Sequence, residues 1–85
     1  MPNVDETAIV TVGIPFLDAE NYLKMAITSV FAQTLTNWHL ILMDDGSTDD
    51  SLRIAQSFSA DPRVTVVSDG LHVGLATRLN QISEL

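Results

Sequence analysis

The sequence lacks cysteine altogether and is poor in positive charge. Without cysteine the chain can form neither a disulfide framework nor a thiolate metal site. Its four cations, Lys24, Arg53, Arg63 and Arg78, stand against eleven acids, which leaves a net charge of −7. Binding to nucleic-acid phosphates or to an anionic membrane surface requires clustered cations. Four scattered cations make no such cluster, so we expect no nucleic-acid partner and no membrane contact from this segment.

Long apolar runs are also missing from the sequence. No run approaches the roughly 20 apolar residues of a membrane-spanning helix. The first stretch, MPNVDETAIVTV, is acidic and lacks the basic start of a secretory signal. These absences favour a cytoplasmic protein. The 85 residues, 46% hydrophobic and 18% charged, predict one globular domain near the lower size limit for burying a core.

Three short apolar segments have the composition of buried strands. Ile9 to Ile14 (IVTVGI) is rich in β-branched residues, and Pro15 is expected to end it. Trp38 to Met43 is apolar nearly throughout, as is typical of a parallel strand covered on both faces. Val64 to Val67 predicts a third strand.

A helical pattern with a period of 3.6 residues follows each of these segments. Asp18 is placed to cap the first helix. Ser47, with Asp50 three residues later, has the spacing of a capping box for the second. Leu75, Leu79 and Ile82 mark a third helix.

The resulting order βαβαβα predicts an α/β fold of the Rossmann-like, three-layer type. Crossovers of this length join parallel strands with one handedness, which favours a doubly wound sheet of strand order 3-2-1. Ligands of open α/β sheets bind beyond the carboxyl ends of the strands. Asp44, Asp45, Asp69 and the turn from Pro15 to Asp18 are all expected at that edge.

The acidic stretch MDDGSTDD does not fit several familiar sites. A haloacid-dehalogenase phosphatase needs an Asp nucleophile where this chain has Met43. An EF-hand counted back from Gly46 would use Ile41, Met43 and Asp45, of which only the last is acidic. VGIPFLD supplies a single glycine, so the P-loop and the G-x-G-x-x-G dinucleotide motif are absent. His39 and His72 have no second ligand at metal spacing and are expected on the surface.

The combination that remains resembles the family-2 glycosyltransferases of the GT-A fold. In that family the first strand usually ends in a phrase like IPTYN and the second in VDDGSTD. This chain has GIPFLDAENYL, LILMDDGSTDD, DPRVTVV and GLATRLNQI at matching places, so that the resemblance extends from about Ile9 to Leu85. It implies a truncated GT-A fold, in which residues 1–85 form the nucleotide-sugar-binding portion of an incomplete glycosyltransferase domain.

The resemblance implies roles for nine residues. Asp45 matches the acid that accepts a hydrogen bond from the nucleobase, typically uracil N3–H, and the alternative is a plain turn residue. Asp44 matches a more structural acid that orients the turn. The remaining implied substrate-binding residues flank the base and ribose or approach the phosphates: Pro15, Phe16, Leu17, Asp18, Asp69, Gly74 and Arg78.

Three of these positions carry specific expectations. Phe16-Leu17 departs from the Thr-Tyr or Ser-Tyr of many members, so an aromatic stacking role at Leu17 is lost and Phe16 is the candidate to replace part of it. Asp18 is expected to cap a helix or to touch the ribose. Arg78 is either a solvated helix residue or a contact to the diphosphate.

Family-2 enzymes also need groups that this sequence does not contain. The resemblance implies a later D-x-D cluster that binds Mg²⁺ or Mn²⁺, and a later carboxylate that acts as general base on the acceptor. We therefore expect the nucleotide-recognition half of an inverting enzyme that uses a nucleotide-diphosphate sugar, and we expect this half to be inactive alone. The alternative is a non-catalytic nucleotide-binding or oligomerisation module. A first strand without a further neighbour also predicts a homodimer or a larger assembly, built across the edge of that strand or the apolar helix faces beside it.

Overall fold

The computed structural model describes residues 9–85 and has a parallel three-stranded sheet with helices against both of its faces. The elements in chain order are β1 (Val10–Phe16), α1 (Leu23–Phe31), β2 (Trp38–Asp44), α2 (Ser51–Gln56), β3 (Val64–Ser68) and α3 (Leu75–Ser83). The expected small α/β fold with a parallel sheet is confirmed. The strands lie in the order β1-β2-β3, with β2 in the centre.

The main core lies between the sheet and helices α1 and α2. Alternate residues of a strand point to opposite faces, and Leu40 and Leu42 of β2 point into this core with 0% of their surface exposed. Ile41 and Met43 are buried on the other face. This burial on both sides explains why β2 is apolar almost throughout. The buried cluster contains Phe16, Leu23, Ile27, Val30, Trp38, Leu40, Leu42, Ala55 and Val64.

Helix α3 packs on the opposite face, close against β1. A Cβ added at Gly13 would lie 2.6 Å from Ile82 Cγ2, so the glycine permits this close approach. The predicted third helix is present, although two of the three apolar residues that mark it, Leu75 and Leu79, are exposed. The helix buries Arg78 instead, for reasons that lie in the site described below.

The first strand continues through Pro15 to Phe16, so the prediction that Pro15 ends it was wrong. Val10 N–H donates to Asn37 and the Phe16 carbonyl accepts from Asp45 N–H, which places the even-numbered backbone groups of β1 toward β2. Pro15 therefore points its missing N–H toward the edge of β1 that has no neighbouring strand among residues 9–85, so no hydrogen bond of the described sheet is lost.

The predicted helix caps were also wrong. Helix α1 begins at Leu23 and α2 at Ser51, several residues after Asp18 and Ser47, and neither start has a side-chain cap. The physical reason is that both side chains bond to the neighbouring loop. Between residues 9 and 85 no helix combines the length and the apolarity needed to cross a bilayer. Residues 1–8, on which the expectation of no secretory signal mainly rests, lie outside the described residues.

Candidate functional site

The carboxyl ends of the three strands bring three loops together at one edge of the sheet. These are loop 17–22 after β1, loop 45–50 after β2 and loop 69–74 after β3. The edge is where open α/β sheets bind their ligands. Asp44 is the last residue of the buried strand β2, Asp45 follows it directly, and Asp69 directly follows β3.

Asp44 ties two of the loops together from a buried position. Its Oδ1 accepts a hydrogen bond from Ser47 N–H at 3.0 Å, which closes the turn after β2. Its Oδ2 accepts from the Ser68 hydroxyl at 3.0 Å, at the end of β3. Both carboxylate oxygens therefore serve the architecture of the site.

Asp45 is fully buried and receives hydrogen bonds from the loop after β3. Oδ1 accepts from Val73 N–H at 2.9 Å and from Arg78 Nε at 2.9 Å. Gly74 N–H is shared between the two oxygens, 3.3 Å from Oδ1 and 3.1 Å from Oδ2. His72 Nδ1 lies 2.8 Å from Oδ2. The carboxylate thus holds the start of α3, where Gly74 has a φ of 97°.

Arg78 reaches Asp45 from the first turn of α3, and its side chain is 1% exposed. A guanidinium has five N–H donors, and here each one has an acceptor. The acceptors are Asp45 Oδ1, both Asp69 oxygens, the Gln81 side chain and the Leu71 carbonyl. The interpretation as a solvated helix residue was therefore wrong. A contact to a diphosphate would require Arg78 to leave some of these partners.

The electrostatics keep both acids of this cluster ionised. The Val73 N–H, followed by Arg78, Gly74 and His72, lowers the pKa of Asp45 to about 2 despite the opposing effect of its burial. The Arg78 guanidinium, with the Leu71 N–H, lowers the pKa of Asp69 to about 2. Asp69 in turn is the main cause that raises the pKa of Arg78. At neutral pH these carboxylates are therefore pure hydrogen-bond acceptors.

Asp18 joins the loop after β1 to the loop after β2. Its Oδ1 accepts from Thr48 N–H at 2.7 Å and from Asp49 N–H at 3.3 Å. Its own N–H donates to the Ser47 hydroxyl at 3.0 Å. This exchange holds Asp18 at a φ of 46°, in the left-handed region that aspartate tolerates better than most residues. Asp18 therefore binds the loop after β2 and does not cap α1, the helix that follows it.

Three further hydrogen bonds extend this junction. Ala19 N–H donates to the Ser51 hydroxyl at 2.7 Å, and Glu20 N–H donates to Asp49 Oδ2 at 3.2 Å. Asp50 N–H donates in the other direction to Glu20 Oε2 at 3.2 Å. The two loops thus form one braced edge, which sequence reasoning missed. The alternation of Ser47, Asp49 and Ser51 is the one sequence feature that reflects it.

The segment Pro15–Leu17 lies beside an apolar groove at the end of β1. Pro15 and Leu17 are half-buried and line this groove together with Leu75 at the start of α3. Phe16 also borders this groove, but its side chain belongs to the main core and is only 3% exposed. The expectation that Phe16 offers an aromatic face to a base was wrong, because the sheet's alternation directs it inward.

The described side chains do not supply a set of ligands for Mg²⁺ or Mn²⁺. Among residues 9–85 no three His, Asp or Glu side chains are grouped so that they could hold a metal ion. All four carboxylate oxygens of Asp44 and Asp45 already accept hydrogen bonds from the chain.

The geometry of paired acids at the end of a central strand can be compared with known proteins. The sequence profile of Glycosyl transferase family 2 matches residues 11–84, which is nearly the whole chain. The chain belongs to glycosyl transferase family 2. This confirms the resemblance drawn from the motifs.

Individual members of family 2 are similar at moderate identity. Glycosyltransferase GlyA of Streptococcus pneumoniae is 36% identical over 78 residues, covering 87% of this chain and 11% of the relative. Chondroitin synthase of Escherichia coli is 39% identical over 61 residues, covering 71% of this chain and 9% of the relative. Minor teichoic acid biosynthesis protein GgaA of Bacillus subtilis is 48% identical over 48 residues, covering 53% of this chain and 11% of the relative. The chain spans only about a tenth of the length of these relatives.

In this family-2 chain, sequence reasoning missed the part played by His72. The histidine was expected on the surface, and its side chain is indeed 64% exposed. Its ring nevertheless contacts the buried carboxylate of Asp45. No local sequence pattern predicts this contact, because the two residues are 27 positions apart.

Proposed function

We propose that this family-2 chain provides nucleotide recognition in an inverting glycosyltransferase. The enzyme would transfer a sugar from a nucleotide-diphosphate sugar, with uridine as the nucleoside, to an acceptor hydroxyl. The observation that carries the proposal is the ionised carboxylate of Asp45, held at the end of the central strand where α/β sheets bind ligands. A carboxylate that only accepts hydrogen bonds complements the ring N3–H of uracil.

The neighbouring residues suit this assignment in different ways. Asp44 and Asp18 brace the loops around the base, and Gly74 and Arg78 orient the Asp45 carboxylate. Pro15 and Leu17 offer apolar surface at the adjacent groove, a suitable wall for a planar base. Asp69, whose side chain is 45% exposed, would contact the ribose at the rim of the site.

We assign the chemical step of sugar transfer to groups other than these nucleotide-site residues. We place the Mg²⁺ or Mn²⁺ ligands and the general base of the reaction outside these 85 residues, so that the chain alone binds nucleotide without transferring sugar. The metal would neutralise the leaving diphosphate. The acidic chain, with only four cations, argues against nucleic acid as a partner. We also propose a cytoplasmic site of action.

Replacing Asp45 with asparagine tests the assignment. Asp45→Asn removes the charge and replaces one carboxylate oxygen, an acceptor, with an amide NH2 group, a donor. Uridine diphosphate binding should therefore weaken about 10- to 100-fold, as expected for loss of a charged hydrogen-bond partner. Asp49→Asn, in the same loop, is the matched control and should leave the affinity nearly unchanged. Calorimetry measures both. Equal effects of the two substitutions would remove Asp45 from the ligand site.

A second, compatible role is self-association through the edge of β1. The odd-numbered residues of β1 point their backbone groups away from β2, so that Thr11 and Gly13 present N–H and C=O groups at the open edge. Exposed Ile9 and Val10 lie at the start of this edge. Such an edge is a template for another strand. We propose that a second copy pairs there to form a homodimer.

The dimer is tested with a substitution that blocks only the open edge. Thr11→Pro removes an outward N–H, just as Pro15 does naturally, and should convert a dimer into a monomer at concentrations on the order of tens of micromolar. Thr11→Ala keeps that N–H and should remain dimeric. Sedimentation equilibrium distinguishes the two. A monomeric unmodified chain would refute the pairing.

A further inference from the structure

The two oxygens of Asp45 differ in how firmly their partners are held. Oδ1 is bound by Val73 N–H and by the buried Arg78, together with the longer contact from Gly74. Oδ2 is bound by Gly74 N–H and by the ring of His72. An ionised carboxylate has about four lone-pair sites, and the chain offers four donors to them. The acceptor capacity of Asp45 is therefore filled, and another donor must displace one already present.

His72 is the donor that can leave with the smallest rearrangement. Val73 and Gly74 donate from the backbone at the start of α3, so releasing them would open that loop. Arg78 is enclosed and tied to four other acceptors. The side chain of His72 is 64% exposed and can swing outward by rotation about its own side-chain bonds.

The protonation of the His72 ring follows from the atoms that it meets. Nδ1 lies 2.8 Å from Asp45 Oδ2 and 3.3 Å from the Asp45 carbonyl oxygen. Both are acceptors, so Nδ1 is assigned the proton. The ring thus presents to Oδ2 an aromatic N–H donor, the same kind of group that the N3 edge of uracil presents.

We infer that His72 occupies the hydrogen-bonding position on Asp45 Oδ2 that a base N–H takes, and that binding of a uridine nucleotide displaces the histidine ring. The inference rests on the proposed function. It makes His72 a residue that sets nucleotide affinity by competition, since its contact with Asp45 must be broken before the base can bind. The displaced ring would remain at the rim of the site, beside Asp69.

Removing the competing ring should strengthen nucleotide binding. His72→Ala leaves Oδ2 one donor short, so uridine diphosphate should bind about three- to tenfold more tightly, the range for one hydrogen bond that no longer has to be broken. His39→Ala is the matched control, because His39 bonds to Thr65 within the sheet, away from this edge, and should change nothing. In an Asp45→Asn background the gain from His72→Ala should disappear.

A second measurement does not depend on a variant. In the unmodified chain, saturation with uridine diphosphate should shift the imidazole ¹⁵N resonances of His72 and leave those of His39 in place. Unchanged His72 resonances, or equal or weaker binding by His72→Ala while Asp45→Asn still weakens binding about 10- to 100-fold, would overturn this inference alone. If neither the unmodified chain nor His72→Ala bound uridine diphosphate, the inference and the proposed function would both fall.

Discussion

Replacing Arg78 with methionine should lower the free energy of unfolding by about 3 kcal/mol, at the lower end of the range for breaking a buried ion pair. Methionine fills similar space but supplies none of the five donors that Arg78 uses. Asp45 would then remain buried with its charge partly uncompensated. The loss stays at the lower end because Asp69 is 45% exposed and can turn to water.

The loss would be a large share of the stability of a domain this size, for which about 4–13 kcal/mol is typical. Arg53→Met is the matched control, because the Arg53–Asp50 pair lies on the surface with both side chains largely exposed. Its unfolding curve in urea should be indistinguishable from that of the unmodified chain. An equally stable Arg78→Met variant would mean that the buried cluster contributes nothing to the fold.

Replacing Gly46 with alanine should cost about 2–4 kcal/mol and loosen the nucleotide site. Gly46 has a φ of 80°, where a side chain is strained by about 1–2 kcal/mol. The added Cβ would also lie 2.9 Å from the Leu71 carbonyl carbon and oxygen and 3.1 Å from His72 N. These are backbone atoms, so the loop that carries His72 and Val73 would have to move away from Asp45.

Gly70→Ala separates these two effects. Gly70 has a similar φ of 75°, but a Cβ there meets no atom of the described chain within 4 Å. It should therefore cost only the backbone strain, about 1–2 kcal/mol. Thermal or urea unfolding of both variants gives the comparison. Equal losses of unfolding free energy in the two variants would show that the close approach of the two loops at Gly46 does not contribute to stability.

The sequence predicts the elements well because their determinants are local. Periodicities of two and 3.6 residues mark strands and helices, and the apolar Trp38–Met43 run correctly indicates a strand covered on both faces. The rule that ligands bind at the carboxyl ends of parallel strands also directs attention to Asp44 and Asp45 before any coordinates are known.

The site's contacts could not be predicted because they join residues far apart in the chain. Asp18 bonds to Thr48, 30 positions away, while local capping rules assign it to the helix that follows. The spacing of Leu75 and Leu79 marks α3, but the residue that the helix buries is Arg78, because Arg78 pairs with the buried Asp45. Asp45 lies 33 positions earlier in the chain. An ion pair of this kind overrides the apolar pattern, and it leaves no mark in the local sequence.

The central claim is that the ionised carboxylate of Asp45 accepts a hydrogen bond from the base of the nucleotide. Uridine diphosphate and cytidine diphosphate differ at the decisive edge, because uracil N3 carries a hydrogen and cytosine N3 is an acceptor. Calorimetric titration of the unmodified chain with each nucleotide is therefore the most direct test. Uridine diphosphate should bind at least about tenfold more tightly than cytidine diphosphate. Cytosine N3 and the Asp45 carboxylate are both acceptors, so neither would have a hydrogen-bond partner in the complex with cytidine diphosphate. Equal affinity for the two nucleotides would contradict the claim.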